Sequence, residues 1–216
     1  MDVIGTVVRL QVQRSRLKPG ERGARRYDPD PLLEVQALDV GPRGVIGRPG
    51  QGPGQGPGQG PGQGPGQGPG QGDGVVDVHH ADHSDTRNAK LVNGLSLLPR
   101  AHYAAMRARF GPHLVDGSAG ESVLLDTAGP WTLDALRGSL ALETADGDLL
   151  PLTGARVASP CIEFSRFCLG LEPDAPVGPE VQAAMADLSD GVRGFYVQAG
   201  QAGRIETGAR LVRLTD

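Results

Sequence analysis

The unit PGQG, repeated six times without a break from Pro49 to Gly72, constrains the fold more than any other feature of this chain. Glycine fills every second position, and only proline offers an apolar side chain. Burial therefore cannot offset the backbone entropy that ordering the run would cost. Its period excludes a collagen stem, which needs glycine at every third position because nothing else fits the crowded axis. The run reads as a flexible loop whose ends, if free, lie on the order of 25–30 Å apart. Before it stands LLEVQALDVGPRGVIGR and after it DGVVDVHHADHSDTRN. Neither flank is a complete domain, and the N-terminal part alone is too short for a stable core. The expectation is one domain over 1–216, interrupted by a disordered insertion at 49–72 in a surface loop, where extra length costs little.

Outside the repeat the chain reads mainly as strands. VIGTVVRLQV is β-branched and bounded by turn residues, and LLEVQALDV runs into a Gly-Pro turn. Further strand-like runs are SVLLD (122–126), SLALETADGDLLPLTGARVA (139–158) and RIETGARLVRL (204–214), with a hairpin signal at Asp146-Gly147. Two helices stand out. In PRAHYAAMRARFG, Pro99 is placed at the first helical position and Gly111 as the stop, with Tyr103, Met106 and Phe110 on one face. GPEVQAAMADLSDG runs from Pro179 to Gly191 with Val181, Ala184, Met185 and Leu188 apolar. No βαβ alternation, no GxGxxG after a strand and no P-loop are present, which excludes a Rossmann domain. The pattern predicts a mainly β fold, a barrel or curled sheet with helices packed outside.

The formal charge of −4 argues against general nucleic-acid binding. A local basic cluster (Arg9, Arg14, Arg16, Lys18, Arg22, Arg25, Arg26) reads as solvated loop charge, although it has the chemistry to meet an anion. Two cysteines do not make a disulfide framework. MDVIGTVVRL lacks the charged start and long apolar run of a signal peptide, and no stretch has the apolar length to cross a bilayer. A cytoplasmic protein with reduced thiols and no membrane partner is expected.

Candidate chemistry centres on VASPCIEFSRFCLG (157–170), which holds both cysteines. Cys161 follows Pro160, which fixes φ and removes a backbone donor, so strand pairing should end there and leave the thiol at the start of a loop. On residue types alone a small buried hydrophobe is the favoured reading, with a thiolate presented for chemistry as the alternative. Cys168, between Phe167 and Leu169, reads as core. His79, His80, Asp82, His83 and Asp85 are residue types that hold divalent metals. Without HExxH, and with turn-rich Asp-Ser-Asp-Thr, the segment reads instead as a polar loop lining a pocket. His80 and Arg87 would there be donors to an anionic or heteroaromatic ligand. In DGSAGESVLLD, Gly117, Gly120 and Glu121 either let a ligand approach the backbone closely or form an ordinary hairpin loop. No GxSxG elbow supports serine hydrolysis, and Lys18 and Lys90 offer no distinctive pyridoxal lysine.

In order along the chain, LDVGPRGVIGR, SLLPRAHYAAMRARFG, GSAGESVLLD, VASPCIEF and GVRGFYVQAGQAGRIETGARLVRL resemble the MOSC domain, the module named for the C-terminal part of molybdenum cofactor sulfurases. The likeness covers nearly all of the chain except the repeat, and Cys161 is its most telling match. It departs where Gly47 is followed by Arg48 and the repeat, and where the family's G-E-N loop reads Gly120-Glu121-Ser122. The resemblance implies a β-barrel with peripheral helices and a pocket at Cys161, which would ligate molybdenum in the pterin cofactor (molybdopterin) or carry sulfur as a persulfide. His80, Arg87, Gly120, Glu121 and Arg107 would contact the cofactor, with Arg107, Arg100 and Arg109 meeting its phosphate. Arg156, Arg166 and Arg87 would supply positive charge near the thiol. It implies an oxidoreductase acting on small N-oxygenated substrates with a redox partner, or a sulfur carrier served by a pyridoxal-phosphate-dependent cysteine desulfurase. A non-catalytic β domain is the third reading.

Overall fold

Seven strands close into a barrel because the first of them is long enough to pair at both ends. In the computed structural model, which describes residues 1–21, 24–50, 74–86, 88 and 90–214, the strands are β1 (Asp2–Gln13), β2 (Leu32–Val35), β3 (Ala37–Gly41), β4 (Gly44–Arg48), β5 (Val75–Val76), β6 (Leu95–Pro99), β7 (Val123–Asp126), β8 (Ser139–Glu143), β9 (Leu149–Val157), β10 (Phe195–Ala199), β11 (Gly203–Glu206) and β12 (Arg210–Leu214). The helices are α1 (Arg100–Phe110), α2 (Ile162–Leu169) and α3 (Pro179–Asp187). The barrel runs β12-β8-β9-β10-β6-β7-β1 and returns to β12, with β2 paired to the far end of β1. A second sheet, β11-β3-β4-β5, lies beside it. The mainly β expectation holds. One detail differs: β6 and β7 are parallel and joined through α1, so a single βαβ unit exists in a chain that shows no such alternation to the eye.

Two cores explain the strand sequences. Leu97, Val123 and Leu125 point into the barrel with Leu10, Phe195 and Val197. Leu98 and Leu124, their neighbours in sequence, point outward into a second core under the helices, against Tyr103, Met106 and Phe164. Strands buried on both faces read as continuous apolar runs instead of alternating ones, which is why Leu97-Leu98-Pro99 and Val123-Leu124-Leu125 carry no polar side chain.

Pro99 is the last residue of β6 and caps α1 from outside it, and Gly111 ends that helix as expected, at φ 123°. α3 starts on Pro179 but ends at Asp187, short of Gly191. LLEVQALDV is two strands in different sheets, split at Gln36, and RIETGARLVRL is two strands split at the Gly208 turn. The segment after Pro160 is a helix, not a loop: α2 begins directly after Cys161 and ends at Gly170 in the left-handed conformation, φ 65°. Phe164 and Cys168, four apart, share its buried face. The flanks of the repeat meet as antiparallel strands, Gly47 opposite Val75, while residues 51–73 lie outside the described residues. No helix among the described residues is long and apolar enough to cross a membrane.

Gly194 shows how tightly the loop before β10 is set. Its φ is +109°, and a Cβ there would lie 2.9 Å from the Leu97 carbonyl oxygen. We expect Gly194→Ala to cost about 2 kcal/mol through strain and lost close packing, read as a lowered urea midpoint at unchanged slope. An unchanged midpoint would mean that this approach is not required.

Candidate functional site

The end of β1 builds one wall of the site. Gln11 Nε2 donates to the Gly117 carbonyl and Gln13 Nε2 to the Gly120 carbonyl, each at 2.8 Å, and the Tyr27 hydroxyl donates to the Ser118 carbonyl at 2.8 Å. The turn they hold needs glycine at 120, where φ is +79° and a Cβ would lie 2.6 Å from Leu17 Cδ1. It delivers Glu121 inward, 4% exposed. The Tyr103 hydroxyl donates to that carboxylate, 2.9 Å from Oε2 and 3.1 Å from Oε1, and itself accepts the Ala119 N–H at 2.8 Å. Burial pushes the Glu121 carboxyl up to about 7, against the opposing pull of its backbone hydrogen bond, Tyr103, Arg193 and Arg9.

The opposite wall is the loop between α3 and β10. His102 of α1 fixes it from behind: its Nδ1 lies 3.2 Å from the Val192 carbonyl, and its Nε2 accepts the Trp131 N–H at 2.8 Å. Only the neutral Nδ1–H tautomer makes both bonds, and burial pushes this imidazole below its ordinary range while carbonyl oxygens of Val192 and Gly191 oppose the shift. The next residue, Arg193, lays its guanidinium over the Phe164 ring at 4.4 Å. Arg193 Nε is buried with no hydrogen-bond partner, and no carboxylate among the described residues forms an ion pair with the side chain. Burial works against its charge, yet Tyr27, Tyr196, Cys161 and Tyr103 around it hold its pKa above the usual arginine value.

Between these walls lies a cavity lined by Gln13, Tyr27, Gly120, Glu121, Arg193 and Tyr196. Arg16, Lys18 and Arg25 also line it. They belong to the cluster read from sequence as solvated loop charge: Arg16 and Lys18 are exposed, as that reading has it, and with half-buried Arg25 they stand at the edge of the cavity. Arg16 pairs with Asp85 at 3.1 Å across the rim. Four cationic side chains thus face two carboxylates, one of them in an ion pair. These cationic side chains give the lining the chemistry to meet an anion.

The sequence candidates divide. Gly120 and Glu121 line the cavity. His80 does not, and its neighbour His79 does. The His80 ring is buried, with Nδ1 accepting the Asp82 N–H at 3.2 Å. Arg87 lies outside the described residues. Arg107 donates to the Leu114 carbonyl and to Asp116, while Arg100 binds Asp116 and Arg109 binds Asp187; none of the three lines the cavity. Arg156 donates to the Val92 carbonyl at 2.6 Å, and Arg166 to the carbonyls of Pro173 and Ala175. Neither guanidinium forms a hydrogen bond to Cys161.

Cys161 is half-buried at the N-terminus of α2, packed against the second core and outside the cavity lining. It is nonetheless tied to the site. Ala158 lines the cavity and donates its N–H to the Gly194 carbonyl at 2.9 Å, and α2 supplies the ring beneath Arg193. Cys168 is fully buried, and burial pushes its thiol up to about 12. No three His, Cys, Asp or Glu side chains among the described residues converge to hold a metal ion. Arg193, Tyr27, Gln13 and Tyr196 are among the cavity residues that sequence reasoning passes over. A sequence signal existed for the first: an arginine in GVRGF, between glycines that take φ values of +97° and +109° ahead of an apolar strand.

No protein-family model matches the chain, and no curated relative matches it. Among solved structures, the fold is similar to that of the YUAD protein from Bacillus subtilis, at 12% identity and a TM-score of 0.51, covering 96% of this chain and 93% of that one. A hypothetical protein is similar at 14% identity and a TM-score of 0.49, covering 99% of this chain and 71% of the other. At these identities the likeness is one of fold.

The buried carboxyl has a measurable consequence. A pKa of about 7 in the fold against 4.5 unfolded means that the folded state binds the extra proton between those values. Wild-type stability should therefore fall as pH rises from about 5 through 7 and level off above. Glu121→Gln, which keeps an oxygen for the Tyr103 hydroxyl, should be more stable at pH 8 by up to about 3 kcal/mol and lose that advantage toward pH 5. Denaturant unfolding across that range checks it; parallel pH profiles for the two proteins would place the charge elsewhere.

Proposed function

We propose that the protein binds an anionic, ring-bearing cofactor in the cavity between Glu121 and Arg193, and that this cofactor is the molybdenum-carrying pterin which the MOSC resemblance implies. The observation that carries the reading is Arg193: a guanidinium in the cavity wall, over the Phe164 ring, with a buried Nε that nothing among the described residues satisfies. Arg193, Arg16, Lys18 and Arg25 suit the phosphate of such a group, and Tyr27 and Tyr196 offer aromatic surface in the same lining. Bound, the cofactor would supply a two-electron redox centre for small N-oxygenated substrates, with electrons from a redox partner. By the resemblance Cys161 would be the thiolate ligand, soft enough for a metal already held by sulfur, which requires the metal end of the group to extend beyond the cavity lining to the start of α2.

A second reading has its own observation. Cys161 is half-buried at a helix start and outside the cavity lining. That position suits a thiol that accepts sulfane sulfur from a pyridoxal-phosphate-dependent desulfurase docking from outside.

Molybdenum and pterin content separate the two. Wild type, Arg193→Met and Cys161→Ala would be purified from a host that makes the cofactor. Near-stoichiometric metal and pterin are expected in wild type. Pterin should fall by about tenfold or more in Arg193→Met, the loss of a charge-assisted hydrogen-bonding group. Cys161→Ala should keep pterin and lose metal. Neither group in the wild type would overturn the cofactor reading. Transfer of label from radioactive cysteine to Cys161 by a desulfurase would then support the second.

A further inference from the structure

Glu121 and Arg193 share one cavity, opposite in charge, without closing an ion pair. The carboxylate is met by Tyr103 from α1, and the charge of Arg9 from β1 and of Arg193 from the loop before β10 reaches it. Tyr27, from the loop after β1, also feels it. Arg16, Lys18, Arg25, His79 and Asp85 are the other charged or titratable side chains of the same lining, with Tyr196. Of the basic side chains, Arg193 and Arg9 are the ones whose charge holds the Glu121 carboxyl down.

We propose that the cavity takes up its anion together with a proton, and that Glu121 is the group that receives the proton. This rests on the anion-site reading above and adds to it a rule for when the ligand is held. An anion on Arg193 cancels the positive charge that favours the carboxylate and brings its own negative charge alongside. Both effects favour the neutral acid, in a wall where water does not screen them. The proton comes from solvent and moves to a Glu121 oxygen; no other bond changes. The Glu121 free carboxyl already titrates near neutrality, so the coupling operates in the physiological range. By linkage, the anion is bound more tightly at lower pH and released as pH rises. The proton is then stored in the cavity wall, on the carboxyl that Tyr103 holds.

Inorganic sulfate is the probe, since it does not itself titrate in this range. Sulfate binding would be followed calorimetrically at pH 8 in two buffers of contrasting ionisation enthalpy, whose difference in heat counts protons taken up. Wild type should take up between about half a proton and one per sulfate, and its affinity should fall up to about tenfold per pH unit above pH 7. Glu121→Gln should bind sulfate with no uptake and a flat profile. Should that variant fail to fold, infrared difference spectra of wild type serve instead: sulfate should convert a carboxylate band to a carboxylic-acid band. Equal heats in both buffers, no new acid band, or uptake that persists in Glu121→Gln (with His79 the next candidate) would overturn the proposal. Sulfate binding that is lost in Arg193→Met but carries no proton would overturn it and leave the anion site standing. No sulfate binding by wild type would overturn the anion site, and the coupling with it.

Discussion

Everything in this fold hangs on β1. Twelve residues pair in turn with β12 at their start, β7 in the middle and β2 at their end. Two register shifts, between Val3 and Gly5 and between Val7 and Arg9, let the strand bend far enough to meet all three. At the first of them a side chain on Gly5 would press within 3.2 Å of Thr127. Without that strand the remaining sheet has two open edges and no closed interior. The same strand positions the site. Gln11 and Gln13 hold the turn that presents Glu121, and Gln13 N–H binds Asp77 Oδ2 at 2.7 Å, fixing the segment that places His79 in the cavity. Barrel closure and cavity geometry are thus one constraint.

Much of the architecture is legible in the sequence because most of its elements are locally determined. Pro99, Gly111 and Pro179 mark helix ends within a residue, and Asp146-Gly147 sits in the turn between β8 and β9. What the sequence hides is long-range. Gln36 separates strands of two sheets, a fact of tertiary pairing that no local pattern carries. α2 has eight residues, including Ile and two Phe, too short and too weak in propensity to signal itself, and it is held by burial of Phe164 and Cys168. The cavity follows the same division. Gly120 and Glu121 are legible through a flexible turn ahead of an apolar strand. Arg16, Lys18, Arg25 and Arg193 come from segments more than a hundred and sixty residues apart at the extremes, so their convergence exists only once the barrel has closed.

The electrostatics of that convergence are costly. Removing a guanidinium and a carboxylate from water costs several kcal/mol each, and a cation–π contact such as Arg193 on Phe164 returns about 0.5–2 kcal/mol. A direct Arg193–Glu121 bridge would offset more, yet the carboxylate is turned to Tyr103. The carboxyl responds by titrating near neutrality, which lowers its own cost. Arg193 has no such escape, because its proton is held too firmly. The deficit therefore rests on Arg193, which is the physical ground for assigning an anion to that side chain and not to the paired arginines of α1.

The two cysteines bear on what either functional reading requires. Cys161 and Cys168 are seven residues apart along α2, two helical turns or about 10 Å. That exceeds the roughly 7 Å between Cα atoms that a disulfide can span. Cys168 is in any case fully buried with its thiol held protonated at ordinary pH, so it is no nucleophile. A sulfenate or persulfide formed on Cys161 would therefore find no resolving thiol within the chain. Its sulfur would have to pass directly to an acceptor arriving at the helix start. Arg193 is the side chain that links that helix to the cavity: it lines the cavity, and it lies over the ring that α2 supplies.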